Sequence, residues 1–190
     1  TRGRNGFIFP ERTHAPVEEC NGLFQYKPYV GIGEVITGLG KPAPKIQGKT
    51  IYERPDSHVD VTPERDRERI AQVPEGSYLA AQTHLGEELR RGLSPKDTTK
   101  YLRLHRKRPA NTLRCGEIFY HPTEDRYLTP REYMRIHGYP DDYILKGPIR
   151  SRTGSVRNLD QHRQVANSVP PPLAKVLGQQ IKRFLDEQNI

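Results

Sequence analysis

The chain has 190 residues, of which 33% are hydrophobic and 28% are charged, with a mean hydropathy of −0.84. This composition is poor in apolar residues for a self-sufficient domain, although not poor enough to indicate disorder. The 31 Lys and Arg against 23 Asp and Glu give a net charge of +8, which favours a polyanionic partner. No apolar run approaches the roughly 18 residues of a membrane span, and no signal-peptide pattern is present, so we expect no membrane partner.

The two cysteines, Cys20 and Cys115, form no CxxC or Cys/His pattern of a metal site. We therefore expect no metal, and free thiols in a reducing cytoplasm. Cys115 lies in Thr-Leu-Arg-Cys-Gly with no base at a telling spacing. We do not expect it to act as a nucleophile.

In chain order, the first predicted element is a buried strand at Phe7-Ile8-Phe9, before Pro10. The 16 Gly and 17 Pro predict long irregular connections after it, with a weakly periodic segment over residues 30–39. Residues 63–73 have the pattern of a charged surface helix, with Thr62 as its N-cap and Pro63 as its first residue. A basic stretch over residues 103–108 precedes a strand-like segment over residues 112–120.

Two helices are predicted near the C-terminus. Thr129 and Glu132 have the spacing of a capping box, and the helix they begin should run to about Ile136 and end at Gly138. Pro172 should open the second helix, whose apolar residues form one stripe: Leu173, Val176, Leu177, Ile181, Phe184 and Leu185. The stripe is a docking face, and we expect its receiving surface on another part or polypeptide.

Residues 126–140, RYLTPREYMRIHGYP, and residues 164–174, QVANSVPPPLA, resemble the ninth and tenth conserved motifs of bacterial DNA (cytosine-5) methyltransferases. Ala166 departs from the pattern, because the family usually has Gly there. The run Thr1-Arg2-Gly3-Arg4 with the apolar segment after it resembles the eighth motif without its leading Gln. Residues 69–76 and 101–113 resemble parts of the target-recognition region of one bacterial branch.

The resemblance implies a mixed α/β fold. A target-recognition domain of short strands and loops would be joined by a C-terminal helix that completes a Rossmann-like methyltransferase domain. Residues 1–10 would be a strand of the catalytic domain, and residues 11–125 the target-recognition region. Residues 126–163 would hold the ninth-motif helix and its connection, and residues 164–190 the tenth motif and the helix returning to the catalytic domain.

The resemblance also implies site residues. Arg4 and Arg2 would be catalytic, in contact with the flipped cytosine or its phosphate. The cofactor S-adenosyl-L-methionine (AdoMet) would be bound by Asn167, Ser168 and Val169, and Thr112 would lie close to DNA. Because of their charge, Arg103, Arg106, Lys107, Arg108 and Arg114 are further candidates for contacts with DNA, at its phosphates. The alternatives are a surface Arg at a strand edge, a pair of turn formers and a solvated basic face. For Arg131 and Glu132 we favour a structural role in the first turn of the helix.

The function implied is AdoMet-dependent DNA (cytosine-5) methylation in a bacterial restriction-modification system, in the cytoplasm and on double-stranded DNA. The family's Pro-Cys nucleophile and its Glu are absent from this sequence, so we expect activity to need an N-terminal part or subunit carrying motifs one to eight. The chain would be a subunit of a split enzyme or a piece of a single-chain one. The alternatives are a non-catalytic, sequence-specific DNA-binding module derived from such an enzyme, and an unrelated basic nucleic-acid-binding protein.

Overall fold

The computed structural model describes residues 6–22, 25–45, 54–94, 96–151 and 159–188. Over these residues the helices are α1 (Ile32–Ile36), α2 (Glu64–Ala71), α3 (Glu87–Arg90), α4 (Pro130–Ile136), α5 (Gln161–Ala166) and α6 (Pro171–Glu187). Single turns of 3-10 helix lie at Val17–Glu19 and Leu79–Ala81. The strands are β1 (His14–Ala15), β2 (Lys27–Pro28), β3 (Ala43–Pro44) and β4 (Val59–Asp60).

The strands pair in parallel as β1 with β2 and β3 with β4, each over two residues. Such short strands and helices confirm the prediction of a mixed α/β fold dominated by short elements. Internal packing divides the chain into two units. The terminal unit contains the described residues up to Tyr29 and those from Val169 onward, and the central unit contains the described residues of 30–168.

In the terminal unit, the predicted buried strand at Phe7-Ile8-Phe9 is not seen: Ile8 makes an isolated bridge, and Ile8 and Phe9 are about half exposed, at 50% and 52%. Pairing of this segment within the catalytic domain stays a prediction. The Phe7 ring instead packs edge-on against Phe184 of α6, with centroids 5.8 Å apart. Local apolar pattern alone could not distinguish these outcomes.

Helix α6 begins at Pro171, one residue before the predicted start, with Pro170 at the N-cap. None of its described residues is buried. Within the predicted apolar stripe, Leu173, Val176, Ile181 and Leu185 are 39% to 51% exposed. The terminal unit therefore presents a largely uncovered apolar helix face.

The core of the central unit lies between α1, α4 and α5, which pack against each other in the order α1–α4–α5. Its larger cluster includes Ile32, Ile36, Leu104, Leu113, Phe119, Tyr133, Met134 and Val165. A smaller cluster consists of Ile70, Val73, Leu79, Leu85 and Tyr120. Several of these residues come from loops rather than helices, as expected for a chain rich in Gly and Pro.

Helix α4 confirms the prediction made from the capping box. The Thr129 hydroxyl accepts the Glu132 N–H at 3.3 Å, and the Glu132 carboxylate accepts the Thr129 N–H at 2.7 Å. The helix ends at Ile136, and Gly138 follows with a φ of 78°. Helix α5, by contrast, was not predicted. Its N-cap is Asp160, whose carboxylate accepts the Arg163 N–H at 3.0 Å.

Two further predictions are corrected. Pro63, not Thr62, is the N-cap of α2, because the Thr62 hydroxyl accepts the Tyr127 N–H at 2.8 Å instead. The helix is also less of a surface element than its charges suggested, since it buries Asp66, Arg69 and Ile70. The strand-like segment over residues 112–120 forms no strand, and only Tyr120 makes bridges.

Candidate functional site

Three segments that are distant in sequence lie side by side in the central unit: residues 76–79, 101–104 and 118–120. Tyr78 bridges Leu102 in antiparallel, and Arg103 bridges Tyr120 in parallel. The Gly76 N–H donates to the Arg103 carbonyl at 3.0 Å, and the Arg103 N–H donates to the Ser77 carbonyl at 2.9 Å. These hydrogen bonds make a small rigid platform.

A cleft of about 370 Å³ opens beside this platform. We call it the recognition cleft and define it by its lining residues: Gly76, Tyr78, Thr98, Thr99, Leu102, Arg108, Asn111, Thr112, Arg114 and Phe119. Three of the six predicted DNA-binding residues, Arg108, Thr112 and Arg114, thus line one cavity. The sequence had placed Arg108 in the basic stretch and Thr112 and Arg114 in the strand-like segment after it.

Residues 105–108, which we call the basic turn, are held from two sides. On one side the Glu75 carboxylate accepts the Arg106 N–H at 2.6 Å and pairs with its guanidinium at 2.8 Å. On the other, N–H groups at the start of α1 donate to the basic turn: Ile32 to the Arg108 carbonyl at 3.0 Å and Gly33 to the Arg106 carbonyl at 2.9 Å. These contacts occupy helix N-terminal donors that have no partner within the helix.

Gly31, the N-cap of α1, makes this approach possible. A Cβ atom at Gly31 would lie 2.6 Å from the Arg106 carbonyl oxygen and 3.0 Å from Lys107 Cα. Both are backbone atoms, so a side chain could not fit unless the basic turn moved. The position of the turn therefore depends on a glycine more than 70 residues earlier in the chain.

Arg103 is buried, and so it does not fit the prediction that it contacts a DNA phosphate. It is only 8% exposed, and all three nitrogens of its guanidinium donate within the central unit. Nε donates to the His121 and Pro122 carbonyls, Nη1 to the Ile70 and Val73 carbonyls, and Nη2 to the Asp125 carboxylate. Arg103 is thus a structural residue, and its charge was misleading because a guanidinium can also satisfy buried carbonyls.

Arg106 is exposed but already paired. Its hydrogen bonds to Glu75 are the main cause that lowers the pKa of Glu75 to about 2. Glu75 therefore stays ionised at any working pH and partly neutralises Arg106. Lys107, Arg108 and Arg114 are exposed and form no salt bridge within the described residues, although Glu117 lies near enough to Arg114 for the two charges to interact. Of the predicted cations, these three are the most available to a phosphate.

The sequence analysis did not single out Tyr78, Thr98, Thr99 or Asn111, all of which line the recognition cleft. Asn111 lies next to Thr112 in a segment whose resemblance to the family was noted, but nothing in the sequence separated it from its neighbours. Thr99 accepts the Arg114 Nη1–H at 3.0 Å. Tyr78 lies on the platform, whereas Thr98, Thr99 and Asn111 come from the segments beside it, and no local pattern predicts that the four side chains line one cleft.

The three predicted cofactor-binding residues differ in which of their groups remain available to a ligand. Asn167 is exposed at the C-cap of α5, and its Oδ1 accepts the Cys115 thiol at 2.6 Å, which leaves its amide N–H groups without a partner among the described residues. The Ser168 hydroxyl donates to the Val165 carbonyl at 2.7 Å and lies 3.3 Å from His137 Nδ1. Val169, in the terminal unit, is 59% exposed. The predicted catalytic residues, Arg2 and Arg4, lie outside the described residues.

The ninth-motif charges have structural roles. The Glu132 carboxylate is 3% exposed and pairs with the Arg126 guanidinium at 2.7 and 2.9 Å. Burial alone would lower the pKa of Arg126, but the hydrogen bonds that its guanidinium donates to Glu132 and Glu124 outweigh burial and raise that pKa. Arg131 donates to the Asp56 carbonyl at 2.6 Å and the Tyr143 carbonyl at 3.0 Å. These contacts support the structural interpretation of Arg131 and Glu132.

No described helix is long and apolar enough to cross a membrane. Among the described residues, no group of three or more His, Cys, Asp or Glu side chains is placed to hold a metal ion.

Comparison with known families matches residues 43–183 to the family described as C-5 cytosine-specific DNA methylase. A putative type II methyltransferase of Methanocaldococcus jannaschii is 30% identical over 156 residues, which cover 74% of this chain and 37% of that protein. A type II methyltransferase of Escherichia coli is 29% identical over 147 residues, which cover 71% and 32%.

DNA (cytosine-5)-methyltransferase 3 of Arabidopsis thaliana is 44% identical over a shorter stretch of 71 residues, 37% of this chain and 4% of that protein. The matches therefore span about a third of the length of the two microbial relatives and a small fraction of the plant one.

Proposed function

Since this chain belongs to the C-5 cytosine-specific DNA methylase family, we propose that it is the DNA-recognition and C-terminal part of an AdoMet-dependent DNA (cytosine-5) methyltransferase. In this proposal, an N-terminal part or subunit carries motifs one to eight, including the catalytic Cys and Glu. The enzyme would belong to a bacterial restriction-modification system, which is supported by the type II methyltransferase of Escherichia coli among the relatives.

The observation that carries the proposal is the recognition cleft. Arg108 and Arg114 line it, Lys107 is exposed on the adjoining basic turn, and none of the three forms a salt bridge in the described part of the chain. Exposed, unpaired cations attract duplex DNA because each phosphate contact releases condensed counterions. The polar groups inside the cleft can then meet the base edges.

The exposure and the existing partners of each side chain suggest its role in DNA binding. Lys107, Arg108 and Arg114 would hold phosphates and fix the position of the duplex. Thr112 is exposed in the same cleft and would approach the DNA beside them. Arg106, already paired with Glu75, and Arg103, buried, would instead support the platform beneath.

AdoMet, when bound, supplies the methyl group that is transferred to cytosine C5. Asn167 fits a cofactor-binding role, because its amide donors are free among the described residues and exposed. Val169 also fits, since it offers an exposed apolar surface to the cofactor. The Ser168 hydroxyl is committed to the Val165 carbonyl, so Ser168 would act by shaping the turn that holds its neighbours.

The apolar face of α6 supports a further part of the proposal. Leu173, Val176 and Ile181 are exposed to an extent that costs hydrophobic free energy in water. We place the catalytic domain against this face, which would complete a Rossmann-like fold with α6 as one of its helices. The uncharged stripe suits a permanent rather than a transient interface.

The proposal is tested by mixing the full chain with an upstream polypeptide that carries the catalytic Cys and Glu, radiolabelled AdoMet and duplex DNA. Methyl transfer to cytosine C5 is expected only when both polypeptides are present.

Arg2 and Arg4 would be tested in the same assay, where Arg4→Ala is expected to lower the rate of methyl transfer more than Arg2→Ala.

A matched control replaces the Cys of the upstream polypeptide by Ala, which should abolish transfer without preventing assembly. Tight DNA binding without transfer in any mixture would contradict the enzyme and support the alternative, a non-catalytic DNA-binding module. Failure to bind duplex DNA at low salt would contradict both.

A further inference from the structure

Polar side chains in the recognition cleft differ in whether they have hydrogen-bond partners. Arg108, Asn111 and Thr112 are exposed, and no side-chain hydrogen bond is recorded for them to any residue that the structure describes. Arg114, by contrast, spends one Nη1 donor on Thr99. The free groups are therefore concentrated on one short segment of the cleft wall.

This segment is anchored at both ends. Ala110 is partly buried and packs against the larger core cluster, and Leu113 is a member of that cluster with 6% exposure. Asn111 and Thr112 stand between these two anchors and are exposed. Their backbone is thus held while their side chains remain free, which is the arrangement that accurate recognition requires.

The chemistry of Asn111 distinguishes it from its neighbours. Arg108 and Arg114, three residues before and three after it, carry only donors, and a phosphate offers only acceptors. The Asn111 amide presents a donor and an acceptor side by side. In the major groove this pair matches adenine, which offers the N7 acceptor next to the N6 donor.

We propose that Asn111 reads an adenine in the major groove of the recognised DNA, between phosphates held by Arg108 and Arg114. This inference rests on the proposed DNA-binding function and adds a specificity-determining residue to it. It requires that the recognition sequence contain an A·T pair at the position facing Asn111. The thymine of that pair would contribute no hydrogen bond to this residue.

The test selects bound duplexes from a randomised pool at low salt, with the full chain and its variants. Wild type is expected to enrich one sequence that contains adenine. Asn111→Asp retains the side-chain shape but presents only acceptors, so it should lose that adenine and favour cytosine, whose N4 is a donor. Its affinity for the wild-type sequence should fall about 10- to 100-fold.

Asn111→Ala, a second variant, should lose the preference at that one base pair without gaining another. Arg114→Ala should weaken binding to all sequences alike and reduce the dependence of affinity on salt. Asn21→Asp, in the exposed turn of the terminal unit, makes the same chemical change and should leave selection and affinity unaltered.

An enriched sequence without adenine, or an unchanged preference in both Asn111 variants, would overturn this inference while leaving DNA binding in place. If wild type retains no duplex at all, the proposed function itself fails and takes the inference with it.

Discussion

His162 links the stability of the central unit to pH. It is 1% exposed, its Nε2 lies 2.8 Å from the Leu128 carbonyl, and its ring packs edge-on against Tyr133. Burial outweighs the opposing hydrogen bond and lowers the pKa of His162 to about 4, from an ordinary value of 6.5. The native imidazole is therefore neutral and donates to the Leu128 carbonyl.

The sign of the pH effect follows from this lowered pKa. Between pH 6.5 and 4 the unfolded chain binds a proton that the native chain does not, so stability falls as the pH falls through this window. The contribution of His162 should already have dropped by about 2 kcal/mol at pH 5. His162→Gln keeps an N–H donor and removes the titration, so its free energy of unfolding in urea should fall less between pH 7 and pH 5.

His84→Gln, at an exposed site, is the control and should follow wild type. If the free energy of unfolding changes equally with pH in wild type and both variants, His162 is not the group responsible.

Replacing Asn167 tests whether its side-chain amide binds the cofactor. Asn167→Ala removes the exposed N–H donors, so we expect AdoMet affinity in the assembled enzyme to fall about 5- to 10-fold, the value of one hydrogen bond. DNA affinity should be nearly unchanged, because the recognition cleft does not include this residue. Isothermal titration with each ligand measures both effects.

Cys115→Ala is the matched control for Asn167→Ala. It removes the thiol that donates to Asn167 Oδ1 but leaves the amide in place. Equal losses of AdoMet and DNA affinity in Asn167→Ala would instead indicate that the residue supports the fold of the central unit.

At the scale of elements, the start of α1 and the basic turn are joined by backbone hydrogen bonds. Gly31→Ala would bring a methyl group to 2.6 Å from the Arg106 carbonyl oxygen and force the turn away from the helix. We expect the free energy of unfolding to fall by about 1–3 kcal/mol. DNA affinity should fall roughly 10-fold, because Lys107 and Arg108 move with the turn.

Gly116→Ala is the comparison for Gly31→Ala, because a Cβ at Gly116 meets nothing within 4 Å. Both variants would be followed by urea unfolding and by fluorescence anisotropy with labelled duplex. A Gly31→Ala protein with wild-type DNA affinity would show that the basic turn does not position the phosphate contacts.

At the scale of the whole molecule, the exposed face of α6 should govern assembly. Val176→Asp places a carboxylate within the apolar stripe at a residue that is 41% exposed in this chain. Because the site is open to solvent here, we expect little change in the stability of the chain alone. Binding to the upstream catalytic polypeptide should weaken by at least about 10-fold, since an unpaired charge would be buried in the interface.

Gln179→Asp adds the same charge to α6 outside the stripe and should leave assembly intact. Analytical ultracentrifugation of equimolar mixtures distinguishes these cases. Equal assembly of both variants would mean that the catalytic part docks elsewhere.

The sequence by itself determined what depends on neighbouring residues. The reciprocal cap of α4, its end before Gly138 and the helix that begins at the paired prolines all follow from contacts within one or two turns. Family membership also followed from linear motifs, because the residues of each motif are contiguous. The mixed α/β fold followed from the same resemblance, and the long irregular connections from the frequency of Gly and Pro.

Only the tertiary structure decided which charges are free. Arg103 and Arg108 look alike in the basic stretch, yet Arg103 is buried among carbonyls of residues 70–73 and 121–122, whereas Arg108 lines an open cleft. The predicted strand over residues 112–120 did not form, because Leu113, Ile118 and Phe119 pack into the core of the central unit instead of pairing along a neighbouring strand. Side-chain availability depends on partners that are tens of residues away, and no local pattern carries that information.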